Sequence, residues 1–119
     1  MTWGEVELEP EVRDWILGLG HDGQETVTFY VDLLAARGPL LGEPHTRQLD
    51  GKLRELRFHL DELDMRITYW IASGRRIILL TVFRKTRMRE TAEVDRARRA
   101  LRRCVAEQHT ADEDEEWAR

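Results

Sequence analysis

The stretch that decides the fold is LRELRFHLDELDMRITYWIASGRRIILLTVF, residues 53–83. In Leu53–Leu60 and again in Met65–Ala72, apolar and polar side chains alternate, and a period of two predicts strands with one buried face. Arg76–Phe83 is almost continuously apolar, which is typical of a central strand that is covered on both faces. Only short turns separate these segments. The stretch therefore predicts an antiparallel three-stranded meander.

The residues before the meander predict a short strand followed by a helical hairpin. Alternation over residues 2–8 predicts the strand. Pro10 suits the first turn of a helix, and a second helical stripe begins after Asp22, which we expect to cap it. Gly38 and Pro39 end the second helix.

The segments that flank the meander complete the predicted domain. Residues 38–51 are rich in glycine and proline and predict a loop, and residues 90–107 predict a closing helix with a thin apolar stripe. The fold class is α+β: a small antiparallel sheet, formed by the N-terminal strand and the meander, packs against the helical hairpin, with the C-terminal helix beside it. We expect one domain over residues 1–107 and an acidic, disordered tail over residues 108–119.

The formal net charge of −4 on this chain of 119 residues conceals a strong segregation of charge. Residues 1–50 carry a net −7 and residues 104–119 a net −5, whereas residues 51–83 carry +2 and residues 84–103 carry +6. A local basic patch matters more for binding nucleic acid than the total charge does. The single cysteine, Cys104, excludes an internal disulfide, and no apolar run is long enough to span a bilayer. We expect a soluble cytoplasmic protein that does not associate with a membrane.

Strand alternation gathers basic side chains on one face of the predicted sheet. Arg57 and His59 share a face of the first meander strand, and Arg66 lies on the corresponding face of the second. The run that leaves the third strand adds basic residues at the same end, namely Arg84, Lys85, Arg87 and Arg89. Because arginine binds phosphate oxygens through two parallel hydrogen bonds, this face suits a phosphate backbone.

Three further residues extend the predicted interface. Lys52 and Arg54 lengthen the basic groove, and Trp70 could stack on a base. Each residue also has an ordinary structural interpretation: a lone arginine or His59 is commonly a solvated surface group, and Trp70 is equally an aromatic residue at the edge of the core. The convergence of two adjacent strands and the following loop on one place favours the functional interpretation.

Other residues that could carry chemistry form no recognisable constellation. His21, His45 and His109 fall in predicted loops or in the tail, without the spacing of metal ligands. The chain has no P-loop, no dinucleotide-binding glycine pattern and no Ser/His/Asp arrangement. We therefore expect neither a metal nor a cofactor.

The stretch from Leu49 to Leu101 resembles the RelE/ParE superfamily of type II toxin–antitoxin toxins, and within it the HigB-like, phage-related branch. The resemblance rests on an L-x-G-x-L-x-E-L-R opening, an R-I-T-Y strand and an apolar strand that ends in F-R-K. A closing helix with Glu93 and Ala97 completes it. The two N-terminal helices match as well, so the likeness covers about residues 3–105.

The resemblance implies a ribosome-dependent mRNA endonuclease, which cleaves by attack of the ribose 2′-hydroxyl on the adjacent phosphate, without metal, and thereby inhibits translation. By position it implies that five residues are catalytic: Arg57, His59, Arg66, Arg84 and Lys85. Of these, Arg66 is the expected phosphate clamp and His59 the expected base or acid. The RNA-binding residues we expect are Lys52, Arg54, Trp70, Arg87 and Arg89.

The resemblance also implies partners and leaves alternatives open. The partners are a cognate antitoxin of the helix-turn-helix kind, the ribosome and mRNA, and operator DNA through the antitoxin complex alone. Relatives place a tyrosine or histidine near the chain end to act on the 2′-hydroxyl, and this closing helix has neither before His109, so the general base stays open. The alternative functions are a ParE-like poison of DNA gyrase without nuclease activity, and an inactive toxin that only binds its antitoxin.

The acidic chain end gives a first testable prediction. We expect it to shield the basic face when no RNA is bound, because opposite charges on one small domain attract each other. Deleting residues 111–119 should therefore raise the affinity for RNA or for ribosomes, measured by direct binding of the purified protein. An unchanged affinity would contradict this role.

Overall fold

The computed structural model describes residues 2–109. Its helices and strands, in chain order, are β1 Glu5–Leu8, α1 Pro10–Leu17, α2 His21–Arg37, β2 Thr46–Asp50, β3 Leu53–Leu60, β4 Leu63–Ala72, β5 Arg76–Arg84 and α3 Thr91–Cys104. A 3-10 turn, Gly38–Leu40, follows α2, and a π-helical turn, Val105–His109, follows α3. The predicted α+β class, helical hairpin, meander and closing helix are confirmed. The expected tail lies outside the described residues, except that 108 and 109 complete the π-helical turn.

The five strands form one sheet in the order β1-β5-β4-β3-β2. The meander pairs antiparallel as predicted, but β1 runs parallel to β5, with Glu5 beside Arg76 and Leu8 beside Leu79. The helical hairpin lies between β1 and the meander in the chain, and a crossover of this length is what a parallel pairing needs. The predicted N-terminal strand is therefore a parallel edge of a mostly antiparallel sheet.

One strand of the sheet, β2, was not expected: the sequence predicted only a loop there, and that prediction is wrong for residues 46–50. Thr46 pairs with Leu56 and Arg47 with Glu55. A turn through Gly51, which has φ of 55°, brings this segment back along β3. The backbone donors and acceptors of β3 along this edge need partners, and an extended neighbouring segment supplies them.

Each face of the sheet has its own hydrophobic core. On one face, here called the hairpin face, residues such as Leu56 and Ile67 pack against Val12 of α1 and Leu34 of α2. On the opposite face, here called the α3 face, one cluster joins the closing helix to the sheet: Leu53, Trp70, Ala72, Ile78, Leu80, Ala97, Ala100 and Cys104. Since the α3 cluster occupies only one end of its face, the other end is left for polar side chains.

Trp70 belongs to the α3 cluster and is buried, with 2% of its surface exposed. Its indole Nε1 donates a hydrogen bond to Cys104 Sγ at 3.3 Å. The expected role as a base-stacking platform is therefore wrong, because α3 covers the ring. Alternation placed Trp70 on the correct face of β4, but it did not show that a helix covers that part of the face.

None of the helices within residues 2–109 is both long enough and apolar enough to cross a membrane.

Two glycines with nearly equal positive φ give a matched test of the packing at the end of α2. Gly38 has φ of 53° with ψ of −124°, and Gly51 has φ of 55°, so alanine at either position would cost on the order of 1–3 kcal/mol in backbone strain. Only at Gly38 would the added Cβ overlap the ring of Trp3, whereas at Gly51 it would meet nothing. Gly38→Ala should lower Tm by at least about twice as much as Gly51→Ala in thermal unfolding. Equal shifts would show that the Trp3 contact gives way freely.

Candidate active site

The end of the α3 face that lies beyond the α3 cluster carries paired charged residues on neighbouring strands. Arg57 of β3 lies directly opposite Arg66 of β4, and His59 lies opposite Asp64. Directly opposed residues of an antiparallel pair project from the same face. Arg57, His59 and Arg66 therefore lie together, on the face to which strand alternation assigned them.

A buried carboxylate lies between the two arginines. Glu55 is 6% exposed, and its Oε2 is 3.5 Å from Arg66 Nε and 3.7 Å from Arg57 Nε. Both Nε atoms are buried and make no hydrogen bond within the described part of the chain. Burial raises the pKa of the Glu55 carboxyl above its ordinary value of 4.5, because loss of solvation outweighs the attraction of neighbouring cations. Those cations are Arg66, Arg57, Arg47 and Lys85.

Arg66 is the most constrained cation of the site. Its side chain is 3% exposed, and the guanidinium donates to both carboxylate oxygens of Asp64 and to the main-chain oxygen of Met65. Arg57 is 29% exposed on its side chain. Arg57 is therefore the more exposed of the two arginines, while Arg66, the expected phosphate clamp, is buried in contact with two carboxylates.

Two further cations, from Arg47 and Lys85, act on the Glu55 carboxylate. Arg47 of β2 is directly opposite Glu55 in the β2–β3 pairing. The main-chain N–H of Lys85 donates to Asp64 O at 2.7 Å, which extends the pairing of β4 and β5 by one residue. Lys85 was predicted from the sequence, whereas Glu55 and Arg47 were not. The available signal was that Glu55 shares strand parity with Arg57; Arg47 had none, because its strand was not predicted.

Arg84, expected to be catalytic, lies on the opposite face from Lys85. It pairs with Met65, whose side chain packs in the hairpin-face core. The cause is a bulge: Tyr69 pairs with Leu79 and Thr68 with Thr81, so Leu80 has no partner and the alternation of β5 is reversed beyond it. The grouping of Arg84 with Lys85 is therefore wrong.

Arg54, expected to extend the groove, also lies on the hairpin face. Its Nε donates to Tyr69 Oη and its Nη2 to Thr46 Oγ1, both at 3.3 Å, and Tyr69 packs in the hairpin-face core. It shares strand parity with Leu56, so it cannot join Arg57 on the α3 face. Lys52 is exposed in the turn between β2 and β3, at the end of β3 away from His59.

The loop of residues 85–90 holds the last two expected RNA-binding residues, Arg87 and Arg89, and both are exposed. Glu90 Oε1 accepts hydrogen bonds from the main-chain N–H groups of Thr86 and Arg87, at 2.8 and 2.7 Å. These bonds lower the pKa of Glu90. Lys85 Nζ donates to Arg87 O at 2.6 Å, so the loop is tied at both of its ends.

A cavity of about 360 Å³ opens beside the two arginines. It is lined by Tyr30, Pro44, His45, Arg57, Phe58, His59, Asp64 and Arg66. Tyr30 stacks on Phe58 with 5.4 Å between ring centroids, which gives the cavity an aromatic side. The rest of the lining includes two guanidinium groups, an exposed histidine and the Asp64 carboxylate. Such a cavity suits an anionic group with an adjoining sugar or ring.

Comparison with known proteins shows what this chain resembles in fold and in sequence. Among solved structures, the chain is similar to a doubly substituted mutant of the E. coli toxin RelE in the free state, with a TM-score of 0.59 and 13% identity over 87% of this chain and 98% of that one. The chain therefore shares its overall fold with RelE.

Sequence comparison gives the family. The model of the family described as "Phage derived protein Gp49-like (DUF891)" matches residues 14–104. The chain is also 35% identical over 81 residues to "Putative toxin HigB3" of Mycobacterium tuberculosis, a match that covers 63% of this chain and 68% of that protein. The chain belongs to the Gp49-like phage-derived family and is a HigB-like toxin of a toxin–antitoxin system.

The raised pKa of Glu55 predicts how Glu55→Gln changes stability with pH. Because the folded pKa lies above the ordinary 4.5, the folded protein binds this proton more tightly than the unfolded chain does. That stabilisation is complete below pH 4.5 and is lost as pH rises through the folded pKa. Since glutamine cannot ionise, the Tm of Glu55→Gln relative to wild type should increase as pH rises.

Thermal unfolding between about pH 4 and about pH 8 measures this effect. Glu62→Gln, in the exposed turn after β3, is the matched control for replacing a carboxylate by an amide. If the Tm of wild type instead increased relative to that of Glu55→Gln as pH rose, the arginines, rather than burial, would dominate the titration of Glu55.

Proposed function

We propose that this toxin is an endoribonuclease that cleaves messenger RNA on the ribosome and so inhibits translation. The observation that carries the proposal is the meeting of Arg57, Arg66 and His59 at one cavity, with Arg47 and Lys85 close to the same buried carboxylate. Arginine pairs match the geometry of phosphate oxygens, and phosphodiester cleavage builds negative charge at phosphorus. The reaction as proposed is 2′-hydroxyl attack on the adjacent phosphate.

The arginines have different tasks in this reaction. Arg57, which is partly exposed, binds the non-bridging oxygens of the phosphate. Arg66 adds positive charge from its buried position and is held in place by Asp64 and Glu55. A fixed cation needs little reorganisation as charge develops in the transition state, and a contact of this kind contributes about 3 kcal/mol. These guanidinium groups supply the positive charge, so the proposed reaction needs no bound metal.

In the proposed reaction an imidazole, rather than the buried carboxylate of Glu55, transfers a proton. His59 is exposed, lines the cavity and lies two residues beyond Arg57 on β3. Glu55 is covered by the arginines that it contacts, so its proposed role is to position them. His59 therefore takes or gives a proton in the proposed reaction.

The proposed function implies several partners. They are the ribosome and its message, a cognate antitoxin of the helix-turn-helix kind, and operator DNA through the antitoxin complex. The place of action is the cytoplasm, where messages are translated. The acidic net charge does not oppose binding to RNA, because the exposed basic groups of the loop, Arg87 and Arg89, adjoin Lys85.

Arg84 and Lys85 are adjacent residues on opposite faces, so they give a matched test. Lys85→Ala should slow message cleavage by about tenfold or more, and Arg57→Ala by about 100-fold, because each removes a cation close to the phosphate. Arg84→Ala should stay within about twofold of wild type. The measurement is cleavage of a message on translating ribosomes, together with growth arrest after expression in cells.

Three outcomes would overturn the proposal. Equal losses in Lys85→Ala and Arg84→Ala would show that the face on which a cation lies does not matter. Growth arrest with intact messages and broken or relaxed DNA would indicate a gyrase poison instead. Wild-type protein that arrests no growth and cleaves no message would indicate a toxin that only binds its antitoxin.

A further inference from the structure

We propose that His45 is the second proton-transfer residue of this site and acts with His59 on the phosphate that Arg57 holds. The inference rests on the proposed endoribonuclease function and names a residue to which the resemblance assigns no role. Cleavage by 2′-hydroxyl attack needs two groups, one to accept the 2′ proton and one to protonate the leaving 5′ oxygen. His59 can supply only one of them.

The backbone holds His45 directly beside Arg57. The main-chain N–H of Arg57 donates to His45 O at 2.8 Å, one residue beyond the last pair of the β2–β3 ladder, Thr46 with Leu56. This bond fixes the position of the loop at the mouth of the cavity. His45 therefore lies there because of strand pairing, and not because of a free loop conformation.

His45 is partly buried, and its imidazole lies beside a pair of aromatic rings. Its ring centroid is 6.2 Å from that of Tyr30, which in turn stacks on Phe58. Tyr30 belongs to α2 and Phe58 to β3, so the ring beside which the imidazole lies is itself supported by two elements. A catalytic imidazole needs such support, since proton transfer depends on hydrogen-bond distance.

The two histidines approach the cavity from different elements. His45 is next to Arg57 across the edge of β3, and His59 lies two residues along β3, which is roughly 7 Å from Arg57. Because both histidines line one cavity with Arg57, a phosphate bound in this cavity has an imidazole from each element among its lining residues. The charged and titratable groups that line the cavity with His45 are Tyr30 of α2, Arg57 and His59 of β3, and Asp64 and Arg66 of β4.

The proton balance of the step is complete with these two residues. One imidazole, neutral at the start, accepts the proton of the 2′-hydroxyl as the bond from the 2′ oxygen to phosphorus forms. The other, protonated at the start, gives its proton to the 5′ oxygen as the bond from phosphorus to that oxygen breaks. The products are a 2′,3′-cyclic phosphate and a 5′-hydroxyl, and exchange with water restores both imidazoles.

The experiment measures the single-turnover cleavage rate of a short message on ribosomes as a function of pH. Wild type should give a bell-shaped profile, because one group must be neutral and the other protonated. His45→Gln should lose one limb of the bell and about 100-fold of the maximal rate, with ribosome binding unchanged. His59→Gln should lose the other limb.

The matched control is His21→Gln, since His21 is an exposed histidine at the start of α2 that does not line this cavity. It should keep both limbs and the full rate. His45→Asn is measured as well, with Tm recorded for every variant, so that one folded replacement at this position is available even if the glutamine variant is unstable.

The limb that is lost assigns the role of His45. Loss of the acidic limb identifies it as the base, and loss of the alkaline limb as the acid. A folded His45 variant that keeps both limbs, while Arg57→Ala has lost activity, would overturn this inference and leave the endoribonuclease intact. Wild-type protein that cleaves no message would instead overturn the proposed function.

Discussion

Two arginines stand directly opposite each other on the central strands, and the site depends on how that like-charge pair is tolerated. Opposed like charges destabilise a sheet, and burial raises the cost. Glu55 lies within 4 Å of both guanidinium groups, and Asp64 engages Arg66 through both of its oxygens. The carboxylates balance enough of the charge to keep the arginines in the sheet, while Arg57 still faces the cavity. The proposed anion-binding site is thus built into the core of a small domain.

The closing helix determines where this site can lie. Ala97 and Ala100 are small, so α3 packs closely on one end of its sheet face and buries Trp70 there. At the other end of this face, the hydroxyl groups of Thr68 and Thr81 form a hydrogen bond of 2.6 Å. The charged residues lie beyond this pair. The same face therefore changes along its length from an apolar core to a polar cluster. A domain of this size needs such a division, because one sheet must supply both the stability of the fold and the residues of the proposed site.

A small number of residues decides which basic groups serve the site. The unpaired Leu80 reverses the alternation at the end of β5, so Lys85 reaches the side of Glu55 and Arg84 does not. The pairing of β2 adds Arg47 from a segment that has no strand signal, and it carries His45 to the cavity. Bulges and edge pairings of this kind are common close to functional sites, where they redirect single side chains.

The sequence by itself determined the meander, the helical hairpin, the closing helix and the face on which Arg57, His59 and Arg66 project. It could do so because a period of two, a helical period and turn residues are local properties of the chain. Tertiary structure alone decided which part of that face α3 covers, where the bulge reverses β5, and that the segment before Gly51 pairs as a strand. These features depend on contacts between residues far apart in the chain, since both edge pairing and helix docking are settled by which surfaces remain to be buried. For that reason Arg57 and Arg66 could be predicted, and strand parity could have placed Glu55 with them, whereas Arg47 and His45 emerged only when the strands were placed side by side.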